Sequence, residues 1–176
     1  HSVTIYRHSR ELLLKVNFPI CVLPPVIVGS QAIYMLAALP CLCLLLYFDG
    51  VVPGLAIFSL PFIFLFQILL TVALSLIFAI LGGFFKDMVV VSRFGLQIVF
   101  FASPIIYSLT EVPEQYRQLL SLNPITAIIG CYRAALLGKP WPTNAELVGS
   151  MIVSVLLFIL ACWLFNRFQK TMLKYI

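Results

Sequence analysis

The sequence predicts an all-α integral membrane protein with about four transmembrane helices and two short helices on the outer side. Two features of composition point there. Apolar residues make up 62% of the 176-residue chain and charged residues only 10%, against about 25% charged in soluble domains. A third feature is arrangement: the apolar residues are gathered into runs about as long as the ~20 residues a helix needs to cross a hydrocarbon core. A water-soluble fold of this size has too little interior for that much apolar surface.

The first span runs from about Ile20 to Phe48. Pro24-Pro25 is expected to bend or restart the helix, so that regular structure begins near Val26, and Tyr47-Phe48-Asp49-Gly50 ends it. The second runs from about Pro53 to Gly83. At 1.5 Å per residue it is about 46 Å long, which predicts tilt or a kink at Pro61. The third covers about Val89 to Tyr107, with Arg93 in its first turn and Pro104 near its far end. The fourth covers about Leu147 to Phe165, with Glu146 just before it at a favourable helix N-terminus.

Between the third and fourth spans lies a long connection, Ser108 to Ala145. It is too long for a passive loop in a compact protein. Pro113 to Ser121 reads as one short helix, with Glu111 and Glu114 near its start. Pro124 to Leu137 reads as a second, with Asn123 as N-cap and Gly138 as the stop. Arg133 makes the second a poor independent span, so the pair is expected to be re-entrant or to lie at the outer interface.

Charge placement orients the spans. Arg7, Arg10, Lys15, Lys86, Arg93, Arg167, Lys170 and Lys174 fall on one side, and only Arg117, Arg133 and Lys139 on the other. The excess predicts that both ends of this chain are cytoplasmic. The net charge of +5 carries no basic stripe, so nucleic acid is not an expected partner. The five cysteines show no CxxC spacing and read as small apolar filler. The chain opens His1-Ser2-Val3, with charged residues ahead of the first apolar stretch. That predicts the C-terminal part of a longer polypeptide, organised as a single transmembrane domain over 1–176.

No histidine or carboxylate falls deep in a span. The polar residues there are mainly Ser30, Gln31, Ser59, Gln67, Thr71, Ser75, Gln97, Ser103 and Ser154. Nucleophilic or acid–base catalysis has no visible parts, and an ion-coupled carrier lacks a mid-depth carboxylate. The sequence therefore predicts a transport subunit that is not an enzyme, has no metal site and no cofactor of its own, and is driven by a separate ATPase that holds the ATP and Mg.

Four stretches resemble the membrane subunit of ABC-2 type exporters, in particular the branch that exports polysaccharides such as O-antigen, capsule or teichoic acid. Lys15-Val16-Asn17-Phe18-Pro19 is similar to a K-x-x-F-P turn, and Phe84-Phe85-Lys86-Asp87 to an F-R-D turn with Lys for Arg. Phe101-Ala102-Ser103-Pro104-Ile105-Ile106-Tyr107 resembles an S-P-[VI]-[IL]-Y signature. Leu122-Asn123-Pro124 followed by Tyr132-Arg133-Ala134-Ala135-Leu136-Leu137-Gly138 resembles an L-N-P … [FY]-R-x-x-L-L-G block.

The resemblance implies six membrane helices in the whole subunit, a homodimer, and a pair of cytoplasmic ABC ATPases. It implies that the segment from Ser9 to Phe18, with Arg10, Glu11, Lys15 and Phe18, couples to the ATPase. It also implies that the outer helix pair gates a channel for a polysaccharide or lipid-linked glycan leaving across the cytoplasmic (inner) membrane. The cluster at Arg10 and Lys15 also reads as a purely topogenic one.

Phe94, Gln97 and Phe101 share one helix face. With Tyr107 they are channel-lining candidates, because rings stack on sugar C–H faces and tolerate a sliding chain. Aromatics packed against helices or lipid are the plainer reading. Ser103 and Pro104 are expected to break the third helix at the gate, where Ser satisfies a freed carbonyl. Asn123, Pro124 and Arg133 complete the gate set, with Arg133 expected to pair with Glu111 or Glu114, or to meet a carrier phosphate. Asp87 is expected to pair with Lys86 or Arg93 in a structural turn. Two other readings remain open: a drug or small-amphipath exporter of the same fold, and a membrane-embedded enzyme or scaffold with its active part elsewhere.

Overall fold

The computed structural model describes residues 22–175 apart from 52, 53, 86, 108–111 and 122. The expected coupling residues Arg10, Glu11, Lys15 and Phe18 lie outside the described residues, as do Lys86 and Glu111.

Helix α1 spans Leu23–Phe48. Pro24 and Pro25 neither bend nor restart it. They sit in its first turn, where amide groups have no helical partner in any case, so nothing is lost by their absence. The proline that does lie inside the helix is Pro40. The helix ends as Tyr47-Phe48-Asp49-Gly50 predicts. Gly50 takes φ 75°, its N–H reaches the Tyr47 carbonyl at 3.1 Å, and the Val51 N–H reaches the Leu46 carbonyl at 2.9 Å. This crossed pair satisfies the last orphan carbonyls.

A short 3-10 turn, Leu55–Ser59, leads into α2, Leu60–Phe84. The kink expected at Pro61 is therefore a change of helix type just before it. Pro61 falls in the first turn of α2, where it costs no hydrogen bond. Met88–Phe101 forms α3, Glu114–Ser121 forms α4, Pro124–Leu137 forms α5 and Asn144–Tyr175 forms α6. A reciprocal cap opens α6: the Thr143 N–H donates to Glu146 Oε2 at 2.8 Å, and the Glu146 N–H donates to Thr143 Oγ1 at 3.3 Å.

Leu23–Phe48, Leu55–Phe84 and Asn144–Phe168 are each long and apolar enough to cross a membrane. The stretch expected to form the third span, Val89 to Tyr107, is helical only as far as Phe101. The 14 residues of α3 extend about 21 Å, short of a ~30 Å hydrocarbon core. Ala102 ends the helix and residues 102–107 form turns. The Ser103-Pro104 break thus comes earlier than a full span allows.

Buried contacts set the topology. Ala73, Leu76, Ala79 and Ile80 of α2 form a core with Ala161 and Phe165 of α6, and Leu23 and Ile27 of α1 pack against it. Nearer the start of α2, Leu60 and Ile63 meet Leu147 of α6 and Ile128, Cys131 and Ala135 of α5. At the other end Phe84 and Phe168 meet edge to face, 5.8 Å apart. Helices α2 and α6 are therefore parallel, and α1 and α5 run against them. Ala73, Ala79 and Ala161 are fully buried; small side chains there let the backbones approach, which is how helices gain packing energy in lipid. The start of α1, the α2–α3 turn and Arg167 consequently lie at one end of the bundle, the grouping on which the charge argument depends.

Helix α5 begins beside the middle of α2: Ile125 shares a cavity wall with Leu74 and Ser75, whereas Ala135 packs nearer Ile63. It returns from mid-bundle to the end where α6 starts, the course expected of a re-entrant helix. Gly138, at φ 62°, closes it. On its outer flank Gly130 lies against the following loop, where a Cβ would sit 2.8 Å from Pro142 Cγ. The proline ring cannot swing aside. Gly130→Ala is expected to cost about 1–3 kcal/mol, read as a lowered unfolding temperature of the detergent-solubilised protein.

Candidate functional site

Irregular backbone at depth in a membrane is tolerated only where protein satisfies its polar groups. Residues 102–107 meet that demand through α5. Ser103 is 1% exposed. Its Oγ donates to the Val99 carbonyl at 2.8 Å, which takes up a carbonyl at the end of α3, as the sequence predicts. The same oxygen accepts from Asn123 Nδ2 at 3.0 Å, while Asn123 Oδ1 accepts the Ile125 N–H at 3.0 Å. One asparagine therefore caps α5 and ties it to the break after α3. Pro124, following it, presets the first turn of α5 without wasting a donor.

About three turns along α5, the Arg133 guanidinium donates to the Ile105 carbonyl at 2.9 Å and to the Tyr107 carbonyl at 3.2 Å. The Tyr107 hydroxyl donates back to the Phe101 carbonyl at 3.2 Å. The expected partner Glu114 is not what Arg133 engages. The carbonyls turned loose by the Pro104 break lie nearer, and a planar fork spans two of them at once. All five expected gate residues, Ser103, Pro104, Asn123, Pro124 and Arg133, thus converge on one clasp. It holds residues 102–107 along α5.

Of the channel-lining candidates, Phe94, Gln97 and Phe101 line one open groove of about 650 Å³ with Ile98 and Ala102. Phe94 and Phe101 are 64% and 61% exposed. Tyr107 does not join them; it belongs to the clasp.

One polar connection was not anticipated. Tyr132 Oη donates to Gln67 Oε1 at 2.7 Å, and Gln67 Nε2 donates to Met35 Sδ at 3.2 Å, joining α5, α2 and α1. Gln67 is legible in the sequence as a lone amide in an apolar span, where a polar side chain needs a partner. That the partner is Tyr132 depends on the re-entry depth of α5, which no spacing reveals.

Three helices long and apolar enough to cross a membrane, a shortened fourth and a short helix clasped to it make up a multi-pass membrane domain. Residues 4–137 match the ABC-2 type transporter membrane family, and the chain belongs to that family. It is 24% identical over 171 residues to the O-antigen export system permease protein RfbA of Klebsiella pneumoniae, covering 96% of this chain and 65% of that protein. It is 30% identical over 159 residues to the O-antigen export system permease protein RfbA of Myxococcus xanthus, covering 89% of this chain and 61% of that one. The inner membrane transport permease YadH of Escherichia coli K12 is 28% identical over 128 residues, 67% of this chain and 50% of that protein. The chain thus spans about two thirds of the length of the O-antigen permeases it matches.

Proposed function

We propose that this chain is part of the permease subunit of an ATP-driven exporter that moves a polysaccharide or lipid-linked glycan out across the cytoplasmic membrane. The observation that carries the reading is the similarity to O-antigen export permeases over 89% to 96% of the chain. Its clasp is a fitting gate. Two copies of the subunit enclose the path, and a pair of cytoplasmic ABC ATPases binds ATP and Mg. The bundle end holding Leu23, Phe84 and Phe168 faces the cytoplasm, because the Lys and Arg excess of the sequence falls in the segments that flank it. Arg10, Glu11, Lys15 and Phe18 bear on the ATPase. Closure of the ATPase moves α1 and α2, and the clasp passes that motion to residues 102–107. Phe94, Gln97 and Phe101 offer the passing glycan exposed rings and one amide.

The test is export by the full-length subunit with its ATPase, in cells lacking the chromosomal copy. Surface glycan is measured against glycan retained inside. Wild type restores the surface fraction. Arg10→Glu combined with Lys15→Glu reduces it about tenfold or more while the protein still inserts. Unchanged export by that double variant removes the docking role. Similarity to the YadH permease, whose name specifies no glycan, favours a second reading with a small amphipathic cargo; normal surface glycan in the deletion strain would select it.

A further inference from the structure

Tyr132 and Arg133 are consecutive in α5, so their side chains leave the helix about 100° apart. Tyr132 lines a cavity of about 610 Å³ between α1, α2 and α5. Arg133 lines another, of about 630 Å³, between the clasp, the outer flank of α5 and the loop leading into α6. Open space therefore borders this stretch of the helix on two flanks. Its packed side is smooth as well. Between positions 129 and 135 the buried residues are Cys131, Ala134 and Ala135. Small side chains let helices approach closely, but they raise only shallow ridges to interlock with a neighbour. Packing here sets how near α5 lies and leaves its rotation to polar contacts.

Such contacts reach out on both flanks. Arg133 donates to the Ile105 and Tyr107 carbonyls. Tyr132 Oη donates to Gln67 Oε1 at 2.7 Å, and Gln67 Nε2 donates to Met35 Sδ at 3.2 Å. A thioether sulfur only accepts, so Met35 draws the N–H end of the amide toward α1 and leaves the oxygen for the tyrosine. Among the described residues the walls around this pair carry no charged side chain. In such apolar surroundings a hydrogen bond is strong, and a partner left without it is costly.

We propose that Gln67 is a positioning residue for the gate: by holding Tyr132 it fixes the rotation of α5, and so aims the Arg133 fork at the carbonyls of Ile105 and Tyr107. A turn of α5 that draws Tyr132 off Gln67 carries Arg133 with it, and a planar fork keeps two acceptors only in one orientation. The link to gating rests on the export reading; the positioning of α5 does not.

The test compares the wild-type full-length subunit with the double variant Gln67→Leu, Tyr132→Phe in nanodiscs. Replacing both partners by apolar groups of similar shape is nearly neutral for stability, so the unfolding temperature should hardly change. Positioning is read at two places outside the substituted pair. Limited proteolysis should show new cleavage between residues 102 and 107. Labelling of Cys131 by N-ethylmaleimide, followed by mass spectrometry of its peptide, should rise about three- to tenfold, the range that one hydrogen bond sets on a local opening. Cleavage or Cys131 labelling equal to wild type overturns the proposal. Should the double variant fail to fold, Tyr132→Phe alone, which removes a single oxygen, is read in the same way. Export of surface glycan by the double variant should fall by a similar factor. Both changes with undiminished export would remove the clasp from the gate and leave the positioning of α5 standing, so the two readings fail separately.

Discussion

Arg133→Ala is expected to abolish transport without preventing insertion. Its guanidinium is bonded to the carbonyls of both Ile105 and Tyr107. Removing it takes the donor from an exposed acceptor at Ile105 and a half-buried one at Tyr107, at about 1–3 kcal/mol for the half-buried one. That loss falls on one segment and leaves the α2–α6 core untouched, so global unfolding should change less than local order. Limited proteolysis should show new cleavage between residues 102 and 112, and export should fall by at least about tenfold. Arg133→Lys is the sharper variant. It keeps the charge, but an ammonium is a point donor and does not bridge two carbonyls as a planar fork does. Partial rescue is expected. Full activity of the Lys variant would mean that charge alone matters, and the clasp as described would be wrong.

The features of the fold that rest on local chemistry were legible in the sequence. Asn123 before Pro124 and Gly138 after Leu137 mark the bounds of α5 because a cap and a left-handed stop are decided within a few residues. Tyr47-Phe48-Asp49-Gly50 ends α1 for the same reason. The effects of proline were harder to read. Pro24 and Pro61 each resemble a kink in the sequence, yet whether a proline kinks a helix or starts it depends on where the first turn lies. A shift of a few residues in that boundary turns a lost hydrogen bond into none.

The candidate site divides in the same way. Ser103's return to the Val99 carbonyl is an i to i−4 bond, and a Ser-Pro pair announces it. The partners of Arg133 and Tyr132 are long-range, |i−j| of 26 and 28 for Arg133 and 65 for Tyr132. They follow from the depth at which α5 re-enters the bundle, and that depth is set by which apolar residues of α2 it covers. Charge complementarity alone pointed Arg133 at Glu111 or Glu114, of which Glu111 lies outside the described residues. The structure satisfies it with carbonyls because the Pro104 break delivers them at the required height.

The Ser103–Asn123 link should act as one unit with the α5 cap. Asn123→Ala removes the N-cap, at about 0.5–2 kcal/mol, and also the donor to a hydroxyl that is 1% exposed. The combined loss should reach about 1–3 kcal/mol, with one lost hydrogen bond adding to the cap term while Ser103 keeps its bond to the Val99 carbonyl. Asn123→Asp separates the two contributions: a carboxylate still accepts the Ile125 N–H but cannot donate to Ser103, so it should retain the cap and lose the link. Ser103→Ala should cost less than Asn123→Ala, because it leaves the α5 cap in place. In a double-mutant cycle on unfolding in detergent, the two alanine substitutions should fall short of additivity by about 0.5–1.5 kcal/mol, the scale of coupling between residues in direct contact. The same cycle read on export separates scaffold from gate. If the link carries motion between the α3 break and α5, either single variant should already lose most export, and the double variant little more. Additive losses in both readouts would mean that Ser103 and Asn123 act independently, each doing no more than finishing its own helix.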